Sequence, residues 1–314
     1  MNDFRIVFMG TPKFSSDVLT ALIEKGFNIV GVVSQPDKEV GRRRILTKSD
    51  TKVTALKYNI PVFTPNKIRD DYKDIIDLNP DLIITCAYGQ IIPNELINYP
   101  KYKCINVHGS ILPYGRGGAP IQHALMDGLE YTGITIMHMN DKMDEGDILV
   151  QEKIKIEDQY TSTILFDKLA SLASNLLISF LPKYFSGDYK AIKQDAASAT
   201  YTYNIKKEDE FISFNDNCKN VYNHIRALLD EPGCYFVINK KRYKIIEAFY
   251  ELDTINNPNT FVGLKDDYLR INCLDGFIKI YKIKPEGKNT MDAKSFFNGV
   301  GKSLVNQKTN INYE

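Results

Sequence analysis

The sequence has almost no charge of one sign to spare. Forty lysines and arginines face 39 aspartates and glutamates, leaving a formal charge of +1 over 314 residues. Contact with nucleic acid would therefore have to come from local patches and not from a net field. Cysteine is also scarce. Cys86, Cys104, Cys218, Cys234 and Cys273 form an odd set with no C-x-x-C pair, which argues against a disulfide framework and fits a reducing compartment. Cys86 and Cys104 lie in apolar, strand-like runs and read as small core residues. The opening MNDFRIVFMG lacks the basic flank and apolar run of a signal peptide. No stretch reads as long and apolar enough to span a bilayer. The expectation is a cytoplasmic protein, monomeric and without a membrane partner.

What is present is a globular composition, 43% hydrophobic and 25% charged. The length suits one large or two ordinary domains and allows a sizeable core. The first half alternates short apolar runs with helical spacing. Residues 4–9 read as a buried strand, residues 14–25 as a helix with Phe14, Val18, Leu19 and Leu22 on one face, and residues 28–34, 81–87 and 103–108 as further strands. This alternation predicts an α/β fold with a doubly wound, Rossmann-like parallel sheet, whose ligands bind beyond the carboxyl ends of the strands. Residues 161–185 form a long apolar helix with Thr161 or Ser162 as cap. Residues 188–204 lack strong periodicity. After them a helix over 217–229 precedes strand-like runs at 234–238, 243–249, 261–264, 268–273 and 277–282, which suggests a small OB-like β-barrel. The expected division is a catalytic domain over 1–189, a linker over 190–206 and a second domain over 207–314.

The densest chemical signal is CINVHGSILPYGRGGAP over 104–120. Asn106 and His108, two apart at the end of a strand, share a face, so an amide and an imidazole point into one crevice. Gly109, Gly115, Gly117 and Gly118 let the following backbone approach a ligand. A second loop, NDKMDEGD over 140–147, follows the strand TGITIMHM and carries Asp141, Asp144 and Asp147. A carboxylate near an imidazole can orient it. A single histidine after a strand is more often structural, and an acidic loop is more often merely solvated. DKMDEGD lacks EF-hand spacing. The combination of N-x-H-x-S-x-L-P with a later D-x-G-D is what points to chemistry. No His, Cys or carboxylate group has metal-ligand spacing, so no metal is expected. GTPKFS is a poor dinucleotide fingerprint.

The runs NVHGSILPYGRGGAPIQHAL and TGITIMHMNDKMDEGDIL closely resemble the folate-dependent formyltransferases. FRIVFMGTPKFSSDVL, VVSQPDKEVGRRR and IKPEGKNTMDAKSFFNG narrow the resemblance to the branch acting on methionyl-tRNA, and it covers almost the whole chain. The resemblance implies transfer of a formyl group from 10-formyltetrahydrofolate to the α-amino group of methionyl-initiator tRNA. It makes Asn106, His108 and Asp144 the catalytic residues. It places the folate against Tyr88, Gly89, Gln90 and Ile91, against Ser110, Leu112 and Pro113, and against Asn140 and Asp141. The basic stretch 35–57 holds seven basic residues against three acidic ones. By resemblance it is the loop that grips the tRNA acceptor end, with Arg42, Arg43, Arg44 and Lys48 as RNA contacts. Lys240, Lys241, Arg242 and the run 279–288 could line a path for the acceptor arm.

This sequence departs from the family pattern in two places. The loop reads GRRRILTKSDTK where the family has G-R-G-K-K and later prolines. The segment LLDEPGCYF replaces one rich in tryptophan and proline, and the chain has no tryptophan. Three other readings stand beside this one: a formyltransferase for a sugar-nucleotide amine, a hydrolase releasing formate from the folate, and a non-catalytic nucleotide- or RNA-binding module.

Overall fold

Strand β1 (Ile6–Gly10) reads IVFMG and is buried along its whole length, as a strand covered on both faces requires. The computed structural model describes residues 3–41 and 43–313. They fall into two compact units. One comprises the chain up to Gly117 together with Tyr131–Lys155 and Phe166–Thr202. The other comprises Gly118–Glu130, Ile156–Leu165 and the chain from Tyr203 onward. The second unit thus takes in two stretches from within residues 1–189.

In the first unit, helix α1 (Lys13–Glu24) buries Phe14, Val18, Leu19 and Leu22, the face expected from their spacing. Strand β2 (Ile29–Val33) follows. The basic stretch is more ordered than a loop. It contains a hairpin of β3 (Lys38–Val40) and β4 (Ile45–Thr47) and then helix α2 (Asp50–Lys57). Ser49 caps α2 by accepting from the Lys52 amide at 3.2 Å. Next come β5 (Val62–Phe63), α3 (Lys73–Asp77), β6 (Leu82–Cys86), α4 (Asn94–Asn98), β7 (Cys104–His108) and the short β8 (Arg116–Gly117). Helix α5 (Pro120–Met126) belongs to the second unit. The chain re-enters the first unit with β9 (Tyr131–His138) and β10 (Ile148–Lys155), and later with most of α6 (Ser162–Ser186) and with β11 (Tyr201–Thr202).

The main sheet has the order β10-β9-β7-β6-β1-β2-β5. Strands β7, β6, β1, β2 and β5 are parallel, and β9 and β10 add an antiparallel edge. From β1 the chain first builds outward through β2 and β5 and then returns to β6 on the other side. The reversal opens a crevice beyond the carboxyl ends of β1 and β6. Thr11, just past β1, donates its hydroxyl to the carbonyl of Tyr88, just past β6, at 2.9 Å.

Helix α6 buries Leu165, Leu169, Leu176, Leu177 and Leu181. Contrary to the sequence expectation, its 25 residues are long and apolar enough by length and composition to cross a membrane, although half of its most apolar stretch is buried within the protein. Scattered Asp167, Lys168 and Lys183 do not offset the leucine-rich remainder.

In the second unit, helix α7 (Cys218–Leu228) precedes β12 (Cys234–Ile238), β13 (Lys241–Leu252), β14 (Phe261–Lys265), β15 (Tyr268–Asn272) and β16 (Gly276–Pro285). These strands form an antiparallel sheet in the order β12-β13-β16-β15-β14, with β17 (Met291–Asp292) on β16. Irregular register near Glu247 bends the long β13. No ladder joins β12 to β14 among the described residues, as in a partly open OB barrel. Helix α8 (Ala293–Gly299) closes the unit and is capped by Asp292, which accepts from the Ser295 amide at 2.7 Å.

Candidate active site

Strand β7 ends on the expected pair. Asn106 and His108 share the face that looks toward the 139–147 loop, and His108 is buried. The Asn106 amide is oriented from behind. Thr85 on β6 donates its hydroxyl to Asn106 Oδ1 at 2.8 Å, which turns Nδ2 outward as a donor. Asn106 Nδ2 reaches Asp144 Oδ1 at 3.4 Å. The other carboxylate oxygen of Asp144 accepts from the Gly117 amide at 2.9 Å and lies 3.7 Å from His108 Nδ1. His108 Nε2 meets the carbonyl of Gly115 at 2.8 Å. Each ring nitrogen therefore faces an oxygen, and the hydrogen bond to the Gly115 carbonyl holds the ring. Asp144 has φ +50, a left-handed conformation that aspartate tolerates better than most side chains.

Gly117 has φ +104, and a Cβ there would sit 2.4 Å from the Thr202 carbonyl. Only glycine fits between β8 and β11, which pair in parallel. The S-x-L-P turn is pinned from β9 and β10. Thr135 donates to the Ser110 carbonyl at 2.7 Å and accepts from the Leu112 amide at 3.1 Å. Gln151 donates to the Leu112 carbonyl at 2.9 Å and to the Thr135 hydroxyl at 2.7 Å.

The residues assigned to folate divide by what they present. Ala87 and Gly89 are exposed with φ of +46 and +88, so the turn exposes backbone on either side of Tyr88, whose own carbonyl accepts from Thr11 and Gln35. A Cβ on Gly89 would meet only Gln35 Nε2, at 3.5 Å. Ile91 is 78% exposed at the rim. An exposed backbone beside an apolar side chain fits a flat, amide-bearing ring. The side chains of Tyr88, Gln90, Ser110 and Leu112 are occupied elsewhere. The Tyr88 ring is in the core with Met9 and Ile68, and burial pushes its hydroxyl up to about 12. Gln90 accepts from the Ile68 amide at 2.8 Å. Ser110 donates to the Tyr114 carbonyl at 2.6 Å, and Leu112 packs with Met137 and Ile148. The Leu112–Pro113 bond is cis. Asn140 accepts from the Lys142 amide at 3.0 Å, and both it and Asp141 are exposed.

Of the RNA candidates, Arg42 lies outside the described residues. Arg43, Arg44 and Lys48 are exposed, and Arg44 pairs with Glu39 at 2.8 Å. On the same hairpin, Val40, Ile45 and Leu46 are 56%, 60% and 67% exposed.

Sequence reasoning did not find Thr85, Arg116 or Gln194. Thr85 is the one polar residue in LIITC, which is a signal of sorts. Arg116 is 1% exposed but sits in a glycine-rich run that reads as loop. Gln194 falls in the aperiodic segment, which is nevertheless tied down. Its neighbour Ile192 pairs with Ile148, and Thr200 accepts from the Gly115 amide at 2.8 Å.

The formyl transferase family matches residues 4–181, and its C-terminal domain matches residues 204–301. The chain belongs to the formyl transferase family. It is 45% identical over 301 residues to a methionyl-tRNA formyltransferase of Bacillus mycoides, covering 94% of this chain and 95% of that protein. A methionyl-tRNA formyltransferase of Bacillus cytotoxicus is also 45% identical, over 300 residues. Among solved structures, the sugar 3N-formyl transferase WlaRD, crystallised with dTDP and 5-N-formyl-THF, shares the fold with a TM-score of 0.68. It is 22% identical, and the match covers 91% of this chain and 99% of that one. HypX from Aquifex aeolicus, crystallised with tetrahydrofolic acid, matches at a TM-score of 0.67 and 17% identity, over 95% of this chain and 48% of that one.

Proposed function

We propose that this family member transfers the formyl group of 10-formyltetrahydrofolate to the α-amino group of methionyl-initiator tRNA. The observation that carries this reading is the 45% identity to methionyl-tRNA formyltransferases over 94% of the chain. The meeting of Asn106, His108 and Asp144 at the crevice supports it. When bound, the reduced folate supplies a formyl carbon whose oxygen gains negative charge as the amine adds to it. Asn106 Nδ2, turned outward by Thr85, is a preorganised donor for that charge, and His108 becomes the second donor when its Nε2–H turns from the Gly115 carbonyl to the formyl oxygen. An α-amino group, with an ordinary pKa of about 7.7–8.0, is roughly one-tenth to one-sixth neutral at pH 7, and that fraction is able to attack. Asp144, which also orients His108, is an acceptor for the proton that the amine releases, directly or through water; as the oxyanion collapses, the bond from the formyl carbon to N10 of the folate breaks, that proton passes to N10, and tetrahydrofolate leaves.

Tyr88, Gly89, Gln90 and Ile91, with Ser110, Leu112 and Pro113 and with Asn140 and Asp141, form the folate surface in this reading, chiefly through backbone. Arg42, Arg43, Arg44 and Lys48 contact the acceptor end, and guanidinium groups suit the work because they pair with phosphate and stack on bases. Residues 207–314 provide further RNA contacts through Lys240, Lys241, Arg242 and the basic run of β16.

The test is incubation with 10-formyltetrahydrofolate and methionyl-initiator tRNA, followed by analysis for formylmethionine. Formate released equally well without an acceptor would identify a hydrolase. Transfer to a sugar-nucleotide amine in preference to charged tRNA would identify the other branch.

A further inference from the structure

Gln194 lies 50 residues beyond Asp144 in sequence, yet its side-chain amide grips the turn that carries Asp144. Gln194 Nε2 donates to the carbonyls of Asp144 and Gly146, each at 2.8 Å. Gln194 Oε1 accepts from Arg116 Nε at 3.0 Å and Nη2 at 2.8 Å. One amide thus uses both hydrogens and accepts twice, its full capacity. Arg116 is buried, and its third nitrogen, Nη1, lies 3.4 Å from the Tyr201 hydroxyl and 3.8 Å from Glu145 Oε1. The held turn is a constrained one. Asp144 is left-handed, and Gly146 presses so close to the His138 carbonyl that a Cβ there would sit 1.9 Å from it. The same downstream segment touches the other support of Asp144, because β11 pairs with Arg116 and Gly117, and the Gly117 amide is a donor to the Asp144 carboxylate.

We propose that Gln194 is a positioning residue that sets the Asp144 carboxylate for proton acceptance, a role that rests on the formyl transfer proposed above. No other side chain of this length is neutral and able to donate twice while accepting twice. Glutamate keeps the shape and strengthens the contact with Arg116, but it turns an oxygen toward two carbonyl oxygens. Methionine keeps the length and loses every hydrogen bond. In either variant the 144–146 turn is released and the Asp144–Gly117 contact loosens, while Asn106, His108 and the folate surface stay in place.

The experiment compares full-length Gln194→Glu and Gln194→Met with Asp195→Ala. Among the described residues, the Asp195 carboxylate accepts from the Ala197 amide and the Ser198 hydroxyl of its own turn. Steady-state kinetics use 10-formyltetrahydrofolate and methionyl-initiator tRNA, and exchange of the Gly117 amide is followed without substrates. Removing the outer partner that orients a metal ligand costs on the order of 10–100-fold, and by analogy with that orienting role kcat should fall on the order of 10–100-fold in both Gln194 variants. KM for either substrate should stay within about threefold, and Gly117 exchange should quicken about tenfold. Asp195→Ala should keep kcat within about twofold. Should the glutamate variant fail to fold, the methionine variant decides. An unchanged kcat in a folded Gln194 variant overturns the proposal, and so does an equal loss in Asp195→Ala, which would mean that the segment is merely tied down. If the wild-type protein does not formylate methionyl-tRNA, the underlying reading fails instead. The exchange measurement then still decides whether Gln194 holds Asp144.

Discussion

Asp144 has firmer partners than the imidazole beside it. The Gly117 amide at 2.9 Å and Asn106 at 3.4 Å hold its two oxygens, while His108 Nδ1 stands 3.7 Å away, beyond ordinary hydrogen-bond range. Asn106→Ala, His108→Ala and Asp144→Ala should each lower kcat by about 10²–10³, with tRNA affinity little changed, because the groups act on charge that develops in the transition state. Single-turnover and binding assays separate the two effects. Thr85→Val keeps the volume and removes the hydroxyl that orients Asn106. Its kcat should fall by roughly tenfold, and free rotation of the Asn106 amide is the cause to look for. Another residue contributes to acid stability. Burial, then nearby Lys103, lowers the proton affinity of His138 below its usual 6.5, against an opposing pull from Asp147. The unfolded chain binds a proton that the folded chain resists, so stability present above 6.5 is lost as pH falls below it. His224, lowered chiefly by burial, acts in the same direction. Tm measured from pH 7.5 to 5 should fall on the acid side, and His138→Gln should flatten that limb.

Elements differed in how readily the sequence disclosed them. Strands such as IVFMG and LIITC announce themselves because a strand buried on both faces is apolar nearly throughout, Thr85 being the exception. Asn106 and His108 were legible because a period of two puts them on one face. The stretch 35–57 was not, because its charges mask a hairpin of two three-residue strands and a short helix begun by Ser49. Helix α8 went unread for a similar reason: seven residues show little period, and only the Asp292–Ser295 cap marks it. Gln194 could not be read at all, since a long-range hydrogen bond leaves no local pattern. Two tests belong at this scale. Gly117→Ala forces a Cβ against the Thr202 carbonyl at a left-handed φ. It should separate β8 from β11 and lower both Tm and kcat. Arg42→Ala should reduce formylation of initiator tRNA far more than folate binding, and Arg42→Lys should restore it only in part, because an ammonium lacks the planar fork. A kcat/KM series at two salt concentrations distinguishes this from general attraction, which fades as salt rises.

Across the whole molecule the five thiols are free and buried. Burial raises all of them, Cys86 to about 12. Thiolate is the reactive form, so a thiol reagent at pH 8 should label none of them faster than the protein unfolds. Labelling and loss of helical signal followed together would show otherwise. The division of the chain has a measurable consequence too. A chain ended after Tyr189 lacks Gln194, Thr200 and β11, and should lose turnover even with saturating tRNA.

The hydrogen bonds from Gln194 to the 144–146 turn run backward across 50 residues of sequence. During synthesis, therefore, Asp144 leaves the ribosome well before the residue that steadies it. At about 5–20 residues per second, that interval is on the order of 3–10 s. In that interval the 144–146 turn is without the side chain whose amide donates to the Asp144 and Gly146 carbonyls, so the strap on this loop is made after every strand of the main sheet.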